Sequence, residues 1–228
     1  VILPVVLLGV VIFQGLLGMW TVTLLLKPLI VMGHLLGGLT TLGLLVWLLL
    51  EARRSGTALQ PARRYIPWLA VSGLVILIVQ ISLGGWTSSN YAALACPDVP
   101  TCQGQWWPED SNFAEGFVLW RGLGINYEFG VLDAPSRVAI HFAHRLGALA
   151  TFTVLLLIGL YYRARSQAAA LRWAATLVLG AVTLQVLIGA GVVWFGLPLT
   201  LATAHNALAA LLLLTVINLN HAASFTTN

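Results

Sequence analysis

Residues 66–89, IPWLAVSGLVILIVQISLGGWTSS, contain no charged side chain. An α-helix of about 20 apolar residues is long enough to cross the hydrocarbon core of a bilayer. Five other stretches have the same apolar character, and the six run over residues 2–26, 28–50, 66–89, 137–162, 171–195 and 198–220. The sequence therefore predicts an all-α polytopic membrane protein with six transmembrane helices.

The composition of the 228-residue chain supports this class and excludes others. Hydrophobic residues make up 59% of the chain and charged residues only 8%, and the mean hydropathy is +0.93. Soluble domains contain about 25% charged residues, so a soluble enzyme, a disordered chain and a coiled coil are excluded. The net charge of +4 does not indicate a nucleic-acid partner, because most of the arginines lie in two short connecting segments.

These arginines predict the orientation of the chain in the membrane. The two connecting segments are residues 51–64 and 163–172, which carry Arg53, Arg54, Arg63, Arg64, Arg163, Arg165 and Arg172. Because positively charged loops stay in the cytoplasm, both segments and both ends of the chain are expected there. The long 90–136 loop, with six of the seven acidic residues, is then outside, and Lys27 is an exception to the charge bias. The chain is apolar from Val1 onward, and we expect it to be a fragment that lacks an N-terminal piece.

Three histidines lie at similar distances inside helices that enter from the outer side. His34 is 6 residues beyond Pro28, and His144 and His205 are about 7 residues beyond the predicted starts of their helices. This corresponds to roughly 10 Å of helix. Imidazole binds iron, copper and zinc, and two imidazoles on facing helices suit a porphyrin in a four-helix bundle. Zinc would need further ligands nearby, and an ordinary hydrogen-bonded packing histidine is the alternative at each position.

A weak internal repeat relates the first and last helix pairs. An offset of 171 residues aligns the following pairs: Gln14 with Gln185, Gly18 with Gly189, and His34 with His205. Gln80 and Gly84 repeat the same glutamine–glycine spacing. Such self-similarity predicts two copies of one bundle unit, with a half bundle in residues 1–64 and a complete four-helix bundle, including the 90–136 loop, in residues 65–228. The glutamines are expected to form interhelical hydrogen bonds.

The chain resembles the heme A synthase family over essentially its whole length. The resemblance rests most specifically on LGGWTSSNYAALACPDVPTCQGQWWP (83–108), then on AIHFAHRLGAL (139–149), GMWTVTLLLKPLIVMGHLLGG (18–38) and ATAHNALAALLL (202–213). It implies an eight-helix fold of two pseudo-symmetric four-helix halves, in which the six helices are the third to eighth. The first two spans would then be missing.

The resemblance also implies roles for the histidines. His144 and His205 would ligate a heme b iron in the C-terminal half, and His34 would be one ligand in the N-terminal half. The catalytic glutamate and the partner of His34 would lie on the missing second span, so this chain alone is expected to be incomplete as a catalyst. His141 is interpreted as a residue that supports the ligand His144 or contacts a heme propionate. The alternative is a polar residue near the membrane surface. Arg145 either binds a propionate or extends its charge to the membrane surface.

The two cysteines, Cys96 and Cys102, lie in the outer loop, where an oxidising environment permits a disulfide. Pro97 and Pro100 favour a tight loop that brings them together. A structural disulfide is predicted, and a redox-active pair is the alternative that the family resemblance leaves open.

The implied activity is that of an oxidoreductase, which converts a methyl group of heme O to the formyl group of heme A for cytochrome c oxidase assembly. The implied partners are heme O synthase, oxidase assembly factors and membrane lipid, and homo-oligomerisation is left open. The expected location is the bacterial inner membrane, with the mitochondrial inner membrane as the alternative. Two other functions compete with this one: a bis-histidine cytochrome b that only transfers electrons, and a transporter with inverted repeats.

Overall fold

A computed structural model describes residues 2–55 and 65–225 of the protein, without the side chain of Ser55. The described residues form seven helices and no strand. The helices are α1 (Ile2–Thr23), α2 (Pro28–Ser55), α3 (Trp68–Ser89), α4 (Phe113–Gly116), α5 (Ala134–Arg165), α6 (Ala169–Trp194) and α7 (Leu199–Ala223). All except the short α4 are long and apolar enough to cross a membrane. This confirms the predicted all-α membrane protein with six candidate spans.

Several helix ends differ from the predicted ones, among them the end of α1 and the start of α5. α1 ends at Thr23 instead of residue 26, because Leu25 and Leu26 adopt positive φ angles of 52° and 60° and turn the chain toward Pro28. Pro28 then opens α2, where its missing N–H costs no hydrogen bond. α5 starts at Ala134, three residues earlier than predicted, because the Asp133 carboxylate accepts a hydrogen bond from the Ser136 amide (3.0 Å). These contacts lower the pKa of Asp133, which favours the charged cap.

Four of the long helices form a closed ring. α3 contacts α5 and α7, and α6 contacts the same two helices. Within the described residues the backbones of α5 and α7 do not approach within 8 Å, nor do those of α3 and α6, so each of these pairs is diagonal across the ring. Buried apolar residues from all four helices fill its interior, among them Leu77, Leu155, Val178 and Val216. Helix α2 packs outside the ring against α3 and α7, and α1 contacts α2.

The 90–136 loop covers one end of this ring. It contains α4, whose Gly116 carbonyl accepts a hydrogen bond from the Trp86 indole of α3 (2.9 Å). The loop also reaches the turn between α1 and α2, where the Tyr127 amide donates to the Leu25 carbonyl (3.0 Å). The loop therefore connects the ring to the α1–α2 pair.

Lys27 lies in this α1–α2 turn, and its surroundings explain a lysine at the acidic end of the molecule. Its side chain is only 2% exposed. The ammonium group donates to the Gly122 carbonyl and lies 3.6 Å from the ring centroid of Trp120 and 5.9 Å from that of Tyr127. The charge is thus stabilised by a carbonyl and two aromatic faces of the loop. Lys27 therefore helps to hold the loop against the α1–α2 turn, a role that the distribution of charge did not predict.

The opposite end of the ring carries five of the described arginines, and we call it the arginine end. It is formed by the last turns of α2 and α5 and the start of α6, with Arg53, Arg54, Arg163, Arg165 and Arg172. Arg63 and Arg64, which contributed to the orientation prediction, lie outside the described residues. The acidic loop and these five arginines therefore lie at opposite ends, and the assignment of the arginine end to the cytoplasm stays a prediction.

Candidate functional site

His144 of α5 lies against a glycine and a glutamine of α3. A Cβ atom on Gly84 would be 3.1 Å from Cε1 of the imidazole, so the ring occupies space that only glycine leaves open. The Gln80 side-chain amide donates to the His144 carbonyl (3.1 Å), and its nitrogen is also 3.1 Å from Nδ1 of the ring. One residue of α3 therefore fixes the backbone of His144, and a second allows its ring to approach.

His205 of α7 has the same surroundings, supplied by α6. A Cβ atom on Gly189 would lie 2.9 Å from its Cε1. The Gln185 amide donates to the His205 carbonyl (3.2 Å) and is 3.4 Å from Nε2. The glutamine precedes the glycine by four residues in both helices, so the two side chains lie on one face, one turn apart.

His34 of α2 shows the arrangement a third time, with α1 as the supporting helix. A Cβ atom on Gly18 would be 3.2 Å from Cε1 of the ring, and the Gln14 amide donates to the His34 carbonyl (2.8 Å). The prediction that the three glutamines form interhelical hydrogen bonds is confirmed. The sequence repeat thus corresponds to a repeated contact between a histidine and the helix beside it.

Two of these histidines belong to diagonal helices of the ring. His144 lies on α5 and His205 lies on α7. Nδ1 of His205 is buried and has no hydrogen-bond partner among the described residues. A buried nitrogen without a partner is unfavourable, and a metal ion could use it as a ligand. Imidazole nitrogens are ligands of heme iron, so the chemistry of these two side chains fits a heme group.

His34 also has a buried Nδ1 without a hydrogen-bond partner in the described part of the chain. However, its helix α2 packs outside the four-helix ring. The structure therefore places His34 outside the four-helix ring that carries His144 and His205. No group of three or more histidine, cysteine or acidic side chains that could hold a metal ion occurs within residues 2–55 and 65–225.

Arg145 follows His144 and holds the cysteine loop. Its guanidinium donates to the carbonyls of Cys96 (2.6 Å), Asp98 (2.6 Å) and Thr101 (2.7 Å). Its Nε also lies 3.3 Å from the His141 ring. Three of its five N–H groups thus donate to loop carbonyls, and its Nε faces the His141 ring. The predicted propionate contact is untested, and the loop-holding role was not predicted, because backbone carbonyls leave no signal in the sequence.

His141 is buried beneath the same loop, with 4% of its surface exposed. Its Nδ1 accepts a hydrogen bond from the Cys96 amide (3.2 Å), while Nε2 faces Arg145. Both ring nitrogens therefore face the loop and its arginine, whereas the neighbouring His144 faces α3. This placement favours the interpretation of His141 as a support behind the ligand position.

Cys96 and Cys102 form the predicted disulfide. Both cysteines have 0% exposure and pack against Val138 and Phe142 of α5. A redox-active pair must be reached by an attacking thiolate, so this burial favours the structural role. Within the loop, Asp98 accepts hydrogen bonds from the Thr101 hydroxyl and two backbone amides, and these bonds lower its pKa to about 2.

A contact at the arginine end was missed by sequence reasoning. His221 of α7 is buried, and its Nε2 is 3.2 Å from the Glu51 carboxylate of α2. The ring also packs edge-on against Trp47 of α2 (5.2 Å between centroids). Nothing in the spacing of residues so distant in the chain indicates this pair, which fastens α2 to the ring.

Comparison with known proteins adds an independent line of evidence. Residues 1–217 match the family described as cytochrome oxidase assembly protein. The chain is 44% identical over 220 residues to a heme A synthase from Shewanella oneidensis, covering 96% of this chain and 66% of that protein. It is 28% identical to a heme A synthase from Rhizorhabdus wittichii, covering 82% of this chain and 50% of that protein. It is 30% identical to one from Roseobacter denitrificans, covering 78% of this chain and 44% of that protein.

The chain thus spans between 44% and 66% of the lengths of these three relatives. The match to the family nevertheless extends from the first residue through nearly all of α7. The chain belongs to the cytochrome oxidase assembly protein family.

Proposed function

We propose that the protein containing this chain is a heme A synthase, an oxidoreductase that converts a methyl group of heme O to the formyl group of heme A. The proposal rests on the family and on the relatives that carry this name. The observation that carries it is the placement of His144 and His205 on diagonal helices of one four-helix ring. The imidazole of each histidine lies against a glycine of the neighbouring helix.

In this proposal His144 and His205 would hold heme b, which would supply one-electron redox chemistry. Gln80 and Gln185 orient the two histidines through their backbone carbonyls. Arg145 and His141 secure the disulfide loop next to the His144 position. The role of this half of the protein is therefore to bind and orient a redox group and to cover it.

His34 is proposed as one ligand at a second heme position, where heme O would react. The support is its glutamine–glycine surroundings, which repeat those of the other two histidines. The family resemblance pairs it with an imidazole on another span, close to a catalytic glutamate. The described spans contain one acidic residue, Glu51, and it lies at the arginine end in contact with His221. We therefore assign no catalytic acid within this chain.

The location proposed is the bacterial inner membrane, with the arginine end in the cytoplasm. Heme O is apolar apart from its propionates, so its delivery by a heme O synthase within the bilayer would avoid transfer through water. The product would be consumed by assembly of a cytochrome oxidase, in agreement with the family description.

An electron-transferring cytochrome b is the second candidate, and one observation favours it. The structure places His144 and His205 on diagonal helices of one four-helix ring, and if both held one heme the site would suit electron transfer rather than binding of a substrate. The two functions differ in their product. The gene product containing this chain should be expressed in a host that makes heme O but has no heme A synthase, and the hemes should be extracted and identified by mass.

Heme A or hydroxylated heme O in the extract supports the synthase, and its amount should fall in the His144→Ala variant. Heme b bound to the protein with heme O left unchanged would support the cytochrome. A purified, folded protein with no bound heme would contradict both candidates and favour the transporter.

A further inference from the structure

The arginine end has a large excess of positive charge. Five described arginines lie there, whereas six of the seven acidic residues lie in the 90–136 loop at the opposite end. The remaining acid, Glu51, contacts His221. Within the described residues neither Arg163 nor Arg172 forms an ion pair with a carboxylate. Their counter-anions must therefore come from outside the described chain.

These two arginines converge on a groove between α5 and α6. Arg163 contributes from the last turn of α5, and the other lining residues come from the first turns of α6: Ala169, Arg172, Trp173 and Thr176. The groove has a volume of about 350 Å³ and opens to the outside. Both arginine side chains are exposed. A guanidinium group presents a planar set of N–H donors that matches the oxygens of a phosphate.

Apolar residues continue from the groove along the outer face of the helices. Trp173 is 64% exposed and lies in the first turns of α6, where a tryptophan suits the head-group level of a bilayer. Leu177, one turn farther along α6, and Leu160, one turn before Arg163 on α5, are also exposed. A ligand here can thus place an anion between two arginines and an apolar chain along the leucines.

We propose that the groove formed by Arg163, Arg172 and Trp173 binds an anionic phospholipid, with the head-group phosphate on the arginines and an acyl chain along Leu160 and Leu177. A basic pocket between transmembrane helices is the setting in which such head groups bind. Inorganic phosphate would use the same guanidinium groups but would gain nothing from the exposed tryptophan and leucines. The site is separate from the histidines, so it does not depend on the proposed activity.

The test is native mass spectrometry of the full chain in detergent. Phosphatidylglycerol and phosphatidylcholine with identical acyl chains are titrated separately, and inorganic phosphate is used as a competitor. The double variant R163Q/R172Q removes the two groove arginines. The control R53Q/R165Q removes the same charge from the same end without altering the groove, and circular dichroism checks that both variants keep their helix content.

We expect one phosphatidylglycerol to bind in preference to phosphatidylcholine. Each arginine near a membrane surface contributes about fivefold to the binding of an anionic lipid, so R163Q/R172Q should weaken phosphatidylglycerol binding roughly 30-fold. The control variant should bind nearly as the wild type does. Equal loss in the control would attribute binding to general surface charge and overturn the proposal. Equal binding of the two lipids, or displacement by millimolar phosphate, would also overturn it.

Discussion

The contact between Gly84 and His144 gives a prediction with a calculable size. A methyl group on Gly84 would lie 3.1 Å from Cε1 of His144, so the ring must move by about 0.3 Å to reach an ordinary contact of 3.4 Å. At Gly189 the distance is 2.9 Å, and the shift of His205 is about 0.5 Å. Metal–ligand distances in a well-formed site lie within about 0.2 Å of their usual values, so shifts of this size would disturb an imidazole that binds a metal. Both substitutions to alanine should therefore weaken heme binding.

Overpacking of this kind typically costs about 1–3 kcal/mol. The apparent heme affinity of Gly84→Ala should then fall roughly 5- to 150-fold, with the larger loss for Gly189→Ala. Gly180→Ala is the matched control on α6, because a methyl group there meets nothing within 4 Å. It should leave the affinity unchanged and raise stability by about 0.4–1 kcal/mol, as alanine restricts the unfolded chain.

The assay is an optical titration of the purified chain with heme b, followed at the Soret band. Thermal unfolding of the heme-free variants separates a local effect on the histidine from loss of the fold. Wild-type affinity in Gly84→Ala and Gly189→Ala would refute the reasoning that these glycines set the position of the ligand rings. An equal loss in Gly180→Ala would refute it as well.

Three further predictions concern the loop and the arginine end. Replacing Lys27 with methionine should increase amide exchange in loop residues 118–130 roughly tenfold, since a cation–π contact contributes about 1 kcal/mol or more when buried. Unchanged exchange would show that Lys27 does not hold the loop against the α1–α2 turn. Because the pKa of Asp98 is lowered to about 2, its contribution to the stability of the loop is full above the unfolded pKa near 4 and is lost as the pH falls through about 2. Exchange of the Gln103 amide should therefore rise, beyond its intrinsic pH dependence, only below about pH 4, and Asp98→Asn should remove this rise. His221→Ala should lower the free energy of unfolding by about 1–2 kcal/mol through loss of the α2–α7 contact, measured by thermal unfolding; no change would show that the contact with Glu51 is not stabilising.

The helices of this protein are largely predictable from sequence, because a span needs only a long apolar segment. Their ends are less so. The leucines that end α1 have the same polarity as those within it, and only their positive φ angles mark the turn. The start of α5 had an available signal, since Asp133 is an N-cap residue and Pro135 falls in the first turn, but the apolar pattern alone placed the start at Arg137.

The candidate site divides in the same way. The glutamine, glycine and histidine contacts follow from a repeat of residue spacings, so the sequence could indicate them. The hydrogen bonds from Arg145 to the loop carbonyls could not be predicted. Every residue has a backbone carbonyl, so the residue type does not indicate which carbonyl accepts. The Lys27 contact with Trp120 joins residues far apart in the chain, and only the folded loop brings them together.

The central claim is that His144 and His205 form one heme-binding pair from which His34 is separate. It is tested most directly by the optical spectrum of the purified chain loaded with heme b, compared for His144→Ala, His205→Ala and His34→Ala. We expect each of the first two substitutions to abolish the low-spin bis-histidine spectrum and His34→Ala to leave it nearly intact. Loss of that spectrum in His34→Ala together with its retention in His144→Ala would show that His144 and His205 are not the heme-binding pair.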